Sequence, residues 1–140
     1  MRQQELALDY ADDFDNAPDL DVENELRGAY ARAFKEARKN GLSREHIVDR
    51  MNLCLPDLPK KLTLRQLNSW TALSKEYSEF PARYLPAFAW ATKYSEPIEV
   101  IPLAMGYDTI DRRDAEALEL GRIALAKADL QGRERTLKRR

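Results

Sequence analysis

The 140-residue sequence has little of the chemistry on which enzymes and metal proteins depend. It contains one histidine, His46, which excludes a histidine-based catalytic triad and a metal site with several histidine ligands. Its one cysteine, Cys54, allows neither a disulfide within the chain nor a cysteine-rich metal site. We expect His46 to lie at the surface and Cys54 to be a small buried thiol.

Loops that bind phosphate or calcium are missing as well. The five glycines are scattered singly, so no glycine-rich loop could surround a phosphate group. The aspartates at positions 12, 13 and 15 lack the glycine and the closing glutamate of a calcium loop. The carboxylates of residues 111–119 alternate with arginines at helical spacing, which indicates ordinary ion pairs on a helix. We therefore expect no metal, no cofactor and no enzymatic activity.

Long apolar runs are also absent. No stretch approaches the roughly 18–20 apolar residues that a membrane-spanning helix needs. The acidic first residues lack the apolar segment of a secretory signal, and the single cysteine indicates no oxidising compartment. The expected location is the cytoplasm.

The charges are numerous but sorted along the chain. Charged residues make up 34% of the sequence, yet the net charge is only −1. Residues 12–25 carry only acidic charges, residues 58–75 carry only basic ones, and residues 131–140 are mostly basic. This asymmetry suggests an anionic partner, although three solvated stretches that average out would give the same pattern.

Apolar residues recur at three- and four-residue steps, which predicts an all-α fold. We predict a five-helix helix-turn-helix bundle followed by a long C-terminal helix, over residues 22–40, 44–52, 63–74, 82–92, 97–105 and 109–130. Asn40 and Gly41 should end the first helix, Pro86 should kink or delay the fourth, and the tail beyond Gly132 should fray. Trp70 and Trp90 are expected in the core. The predicted organisation is an acidic flexible arm, the bundle and a C-terminal helix with a basic tail, over residues 1–20, 21–107 and 108–140.

The second and third helices form the one motif that suggests a binding function. A helix-turn-helix needs a bracing helix and an amphipathic helix whose outward side chains reach base edges in the major groove. Outward residues suited to reading bases are Arg65, Gln66, Asn68 and Ser69. Residues suited to phosphate contacts at the start and end of the helix are Lys60, Lys61, Thr63 and Lys75. The alternative is an ordinary core helix with a polar outer face.

Residues 42–103 resemble the lambda-repressor-like (Cro/repressor) helix-turn-helix domain. The resemblance lies in the Ser43-started bracing helix, the Leu67-Asn-Ser-Trp70 segment, the Pro81-started helix that reaches Leu85, and a final apolar helix over 98–105. Residues 68–92 are also similar to small early-region regulators of Mu-like transposable phages and prophages.

The resemblance implies that the chain binds double-stranded DNA with its third helix in the major groove. The positions equivalent to base-reading residues are Arg65, Gln66, Asn68 and Ser69. One departure is the connection over residues 53–61, which is longer than the turn in that family. It is either a surface insertion or a spacer that moves the third helix away from the groove.

The C-terminal helix extends past the expected bundle, and its apolar stripe of Leu118, Ile123 and Leu125 is incomplete. It either packs back on its own bundle or forms the homodimer that a palindromic operator requires, and we expect the homodimer. Two other functions stay open. One is a helical adaptor or phage accessory protein that binds another protein, and the other is a DNA-packaging or recombination subunit that forms higher oligomers.

Overall fold

The computed structural model describes residues 16–74 and 78–139, and every regular element in these two ranges is helical. The helices are α1 Glu23–Lys39, α2 Arg44–Leu53, α3 Leu64–Thr71, α4 Leu85–Thr92, α5 Glu96–Ala104 and α6 Arg112–Lys138. The predicted all-α fold is confirmed, and within the described ranges five helices precede a long sixth. The chain divides into two compact units, Met1–Tyr107 and Asp108–Arg140. Within the described ranges, no helix combines the length and the apolar character that crossing a membrane requires.

Local signals at the helix ends account for the boundaries of α1 and α2. Gly41 adopts a φ of 76°, and the N–H of Leu42 donates to the carbonyl of Ala37 at 2.9 Å, so α1 stops where predicted. Ser43 then caps α2 by accepting a hydrogen bond from the N–H of His46 at 3.2 Å. The exposed His46 ring closes this capping box, which gives the one histidine of the chain a structural role at the surface.

The core of the first unit is built around the ring of Phe88, which is fully buried on α4. Three aromatic rings contact it with centroid distances of 5.3 to 5.9 Å, and they belong to Tyr30, Phe34 and Phe80. Fully buried alanines on α1 allow the helices to approach closely at this point. Because α2, α3 and α4 have only 8 to 10 residues each, they depend on this packing for their stability.

Arginine side chains bind the exposed carbonyl groups at the ends of the short helices. Arg27 on α1 donates to the carbonyl of Ala72, the residue that ends α3, and its guanidinium also pairs with Glu23 at 3.0 Å. Arg50 on α2 donates to the carbonyls of Ala91 at 2.9 Å and Trp90 at 3.2 Å. These contacts satisfy acceptors that a helix leaves without an internal partner, so each one fixes a helix end to its neighbour.

Two expectations about single residues are wrong. Trp90 is 51% exposed, because it lies about 200° around the helix from the buried Phe88, and its ring stacks on Arg50 at 4.3 Å. Cys54 is exposed because it is the residue at which α2 ends, and the core contact at this point is made by the next residue, Leu55.

The prolines and the C-terminal helix also refine the prediction. A 3-10 turn, Ala82–Tyr84, precedes α4, and Pro86 stands in the first turn of the α-helix. Of the two effects expected of Pro86, a kink or a delayed start, the structure shows the delayed start. Helix α5 continues through Pro102 and ends before Gly106, which has a φ of 84°.

Helix α6 does not fray at Gly132 but runs on to Lys138, with Asp111 as its N-cap. The third helix ends at Thr71, three residues earlier than predicted, as Ala72 turns to extended backbone.

An ion pair joins α1 to α5. Arg32 donates from Nε to both carboxylate oxygens of Glu96, at 2.9 and 2.8 Å, and the Tyr94 hydroxyl donates to the same carboxylate. The hydrogen bond from Arg32 holds the pKa of Glu96 below its ordinary value of 4.5, and Tyr94 adds to the effect. The bond to Glu96 in turn raises the pKa of Tyr94.

We predict that this ion pair makes stability depend on pH in the acidic range. A carboxylate whose pKa is lowered by folding contributes fully above its ordinary pKa of 4.5, and the contribution is lost as the pH falls through the lowered pKa. Glu96→Gln should therefore destabilise the protein at pH 7, and its difference from the wild type should vanish on acidification. Urea unfolding across a pH series measures this, with Glu119→Gln as the exposed control. A difference that stays constant with pH would refute the prediction.

We also predict that the inner side of α3 carries the stability of the first unit. Leu67 is 1% exposed and Leu73 is 77% exposed, so the same change at both positions isolates the effect of burial. Leu67→Ala should lower the free energy of unfolding by about 2–5 kcal/mol, and Leu73→Ala by less than about 0.5 kcal/mol. Urea denaturation followed by circular dichroism measures both, and equal losses would contradict the packing described here.

Candidate nucleic-acid interface

The connection from α2 to α3 is held by paired hydrogen bonds near its two ends. The side-chain nitrogen of Asn52 donates to the carbonyl of Leu62 at 3.0 Å, and the N–H of Leu62 donates to Oδ1 of Asn52 at 2.8 Å. Leu62 itself is buried, and Leu55 and Leu58 pack against the core from within the connection. The long connection therefore folds back on the bundle and returns the chain to α2 before α3 begins.

A capping box sets the start of α3. Thr63 accepts a hydrogen bond from the N–H of Gln66 at 3.2 Å, and Oε1 of Gln66 accepts one from the N–H of Thr63 at 2.9 Å. This capping box gives Gln66 a structural task. A bidentate contact of Gln66 with adenine would use its amide nitrogen together with Oε1, the oxygen that accepts from Thr63, so base contact and capping compete at this residue.

Arg44 connects three helices at the other end of this region. Its guanidinium carbon lies 4.0 Å from the centroid of the Phe34 ring on α1, and its Nη1 donates to Oδ1 of Asn68 on α3 at 2.8 Å. The hydrogen bond holds the Asn68 amide in one orientation and leaves its nitrogen as a donor. Sequence reasoning missed Arg44, because nothing local marks a contact between residues 24 positions apart.

The side of α3 that faces away from the core is the candidate site. Its residues Leu64, Arg65, Asn68, Ser69 and Ala72 line one shallow hollow, which we call the outer face of α3. Arg65 is exposed, and within the described ranges neither its side chain nor that of Ser69 makes a hydrogen bond or an ion pair. Three of the four predicted base-reading residues are thus brought together, and Gln66 lies beside them at the capped end.

The predicted phosphate-contacting residues lie at the start of α3. Lys60, Lys61 and Thr63 are exposed there, next to the end of the helix where free N–H groups and the helix dipole favour an anion. Lys75, predicted for the other end of the helix, lies outside the described residues. The lysines before α3 and the outer face of α3 therefore follow one another along the chain, from residue 60 to residue 72.

Other kinds of site find less support. Within residues 16–74 and 78–139, no group of three or more histidine, cysteine, aspartate or glutamate side chains could hold a metal ion.

No family model matches this chain, and comparisons with curated proteins and with solved structures find no similar protein. The case for a function therefore depends on the residues of the outer face of α3 themselves.

We predict that the Asn52 side chain is needed to hold the connection in place. Asn52→Asp keeps the oxygen that accepts from the Leu62 N–H. It replaces the nitrogen that donates to the Leu62 carbonyl with a second carboxylate oxygen, which then lies against the carbonyl oxygen. The free energy of unfolding should fall by about 1–3 kcal/mol. The control is Asn24→Asp, the same change at an exposed position of α1. Urea denaturation measures both variants, and an equal effect at the two positions would refute the role of Asn52.

Proposed function

We propose that the protein is a sequence-specific regulator of phage or prophage type that binds double-stranded DNA with α3 in the major groove. The observation that carries the proposal is the outer face of α3, where Arg65, Asn68 and Ser69 line one exposed hollow. The helix is tied at both ends, by the capping box at Thr63 and by the contact from Arg27 to the carbonyl of Ala72. A helix fixed in this way can present side chains to base edges with little loss of conformational entropy.

Each residue of the outer face has a distinct chemical task in this proposal. Arg65 offers the paired N–H groups that match O6 and N7 of guanine. Asn68 donates from its amide nitrogen to a base acceptor, since Arg44 occupies its oxygen. Ser69 is small, so it permits close approach of the helix to the groove floor.

The lysines before α3 supply affinity rather than sequence preference. Lys60 and Lys61 neutralise backbone phosphates, and Thr63 lies beside the N–H groups of the first helical turn. Contacts of this kind release counterions, so binding weakens as salt is raised. A net charge of −1 makes such a local cluster necessary, because the whole molecule has no general attraction for DNA.

We predict that Arg65 and Lys61 affect DNA binding in different ways. Arg65→Ala should reduce discrimination between the preferred site and other sequences by about 1–3 kcal/mol. Lys61→Ala should weaken binding to all duplexes alike and make the salt dependence less steep. The measurement is fluorescence anisotropy on a duplex library across a salt series, with recovery of the bound sequences.

The control for these variants is Lys35→Ala, which removes an exposed positive charge from α1 instead of from the start of α3. It should leave both affinity and sequence preference unchanged. An equal loss on every sequence from Arg65→Ala would remove its base-reading role. No binding to any duplex at low salt would overturn the proposed function.

One observation favours a second candidate, a helical adaptor that binds another protein. Apart from Glu96 and Glu99 in its first turn, helix α5 consists of apolar residues, yet only Pro97 and Val100 are buried. The exposed apolar residues of α5 and its C-cap are Ile98, Ile101, Leu103 and Met105. Exposed apolar surface of this kind is common at protein–protein interfaces. This candidate would be favoured if the protein did not bind DNA and if Ile101→Glu, but not Glu45→Gln, abolished binding to a purified partner.

A further inference from the structure

Helix α6 is long, and no residue in it is buried. Its 27 residues include several leucines and an isoleucine that are at least half exposed, namely Leu118, Leu120, Ile123, Leu125, Leu130 and Leu137. Within the single chain, this helix lacks the tertiary packing from which most helical stability in proteins comes, because its apolar side chains are not buried. A partner that covers one side of α6 would provide that burial.

The charges of α6 leave one side of the helix free over residues 115–132. With about 100° between successive residues, the charged side chains of this stretch all fall on one side, at Glu116, Glu119, Arg122, Lys127 and Asp129. The other side, which we call the neutral face, consists of Ala117, Leu118, Leu120, Gly121, Ala124, Leu125, Ala128, Gln131 and Gly132. It runs for about 24 Å along the helix and covers roughly 160° of its circumference.

The composition of the neutral face suits a second helix. Leucines at positions 118, 120 and 125 supply apolar surface, and Leu125 is 74% exposed. Alanines and glycines lie between them, and these small residues let two helix backbones approach closely so that leucines fill the space at the edges. The face is therefore shaped for a partner helix of similar length.

The charges beyond the neutral face indicate which helix this is and how it is oriented. The N-terminal flank carries Asp108, Asp111 and Asp114 against Arg112 and Arg113, and Glu116 and Glu119 on the charged side add two acidic groups at this end of the helix. The C-terminal flank carries Arg133, Arg135, Lys138, Arg139 and Arg140 against Glu134. An antiparallel copy of the same helix would place the acidic flank of each chain beside the basic flank of the other.

We propose that α6 pairs with α6 of a second copy of this chain, antiparallel, through the neutral face. The two-fold axis passes between Ala124 and Leu125, which places Ala117 near Gly132 of the partner. The same register brings Asp114 near the partner's Arg135, since both are equally distant from the axis along the helix. A parallel pair would instead set each Asp114 against its own copy, where like charges repel.

The ion pairs within α6 are compatible with this arrangement. Arg133 pairs with Asp129 at 3.3 Å and Lys138 with Glu134 at 3.4 Å, and Arg133, Asp129 and Glu134 lie off the neutral face. Arg135 lies in line with the neutral face at its C-terminal end. The pairing does not rest on DNA binding, so it can be measured on the protein alone.

The first experiment measures self-association of the full chain by sedimentation equilibrium without DNA. Ala124→Glu would place two like charges beside the two-fold axis and should weaken the dimer at least about tenfold. The matched control is Ala126→Glu, the same change on the charged side of the same helix, which should leave the dissociation constant unchanged. Circular dichroism checks that both variants keep their helix content.

Two outcomes of this experiment would overturn the proposal. The first is a wild-type protein that stays monomeric at high micromolar concentration. If Ala124→Glu also lowers the melting temperature of that monomer, the neutral face is covered by another part of the same chain. The second is a dimer that both variants weaken equally or not at all, which would place the contact elsewhere.

A second experiment tests the antiparallel orientation by disulfide trapping. In a Cys54→Ser background, chains with Ala117→Cys and chains with Gly132→Cys are mixed and oxidised. An antiparallel pair should yield mainly the mixed disulfide between positions 117 and 132. Mainly homotypic disulfides, 117 to 117 and 132 to 132, would show a parallel pair and overturn the proposed orientation.

Discussion

The packing of aromatic rings around Phe88 is the interaction on which the first unit depends. Helices of 8 to 10 residues do not persist alone in water, and α2, α3 and α4 are all of this length. Phe88 is fully buried and contacts rings from α1 and from Phe80, which itself contacts the Trp70 ring of α3 at 5.3 Å. The orientation of α3, and with it the direction of its outer face, therefore follows from how these rings pack.

Arginine has a structural role throughout this unit. Arg27 joins α1 to the end of α3, Arg50 joins α2 to the end of α4, and Arg44 joins α2 to Phe34 and Asn68. A planar guanidinium can donate to a carbonyl and stack on a ring at the same time, which a lysine cannot do as well. These arginines are engaged in holding helices together, so the basic residues open to an anion near α3 are chiefly Lys60, Lys61 and Arg65.

The two proposed interactions use different parts of the chain and different forces. The outer face of α3 would meet DNA through hydrogen bonds and charge, within a unit that has its own core. The neutral face of α6 would meet a second copy through apolar burial, with charge setting the orientation. A two-fold pair fits the proposed DNA binding, because symmetric regulators read symmetric sites, but each interaction can be present without the other.

Local chemistry determined much of this protein from the sequence alone. The capping boxes, the stop at Gly41 and the helical spacing of apolar residues depend on near neighbours in the sequence. The six helices of the described residues, their approximate bounds and the polar composition of α3 were therefore predictable. The tertiary structure alone decided that Trp90 and Cys54 are exposed, that Asn52 holds Leu62, and that Arg44 orients Asn68. The contacts of Trp90, Leu62 and Asn68 join residues 10 to 41 positions apart, and local propensity does not specify which distant groups will meet.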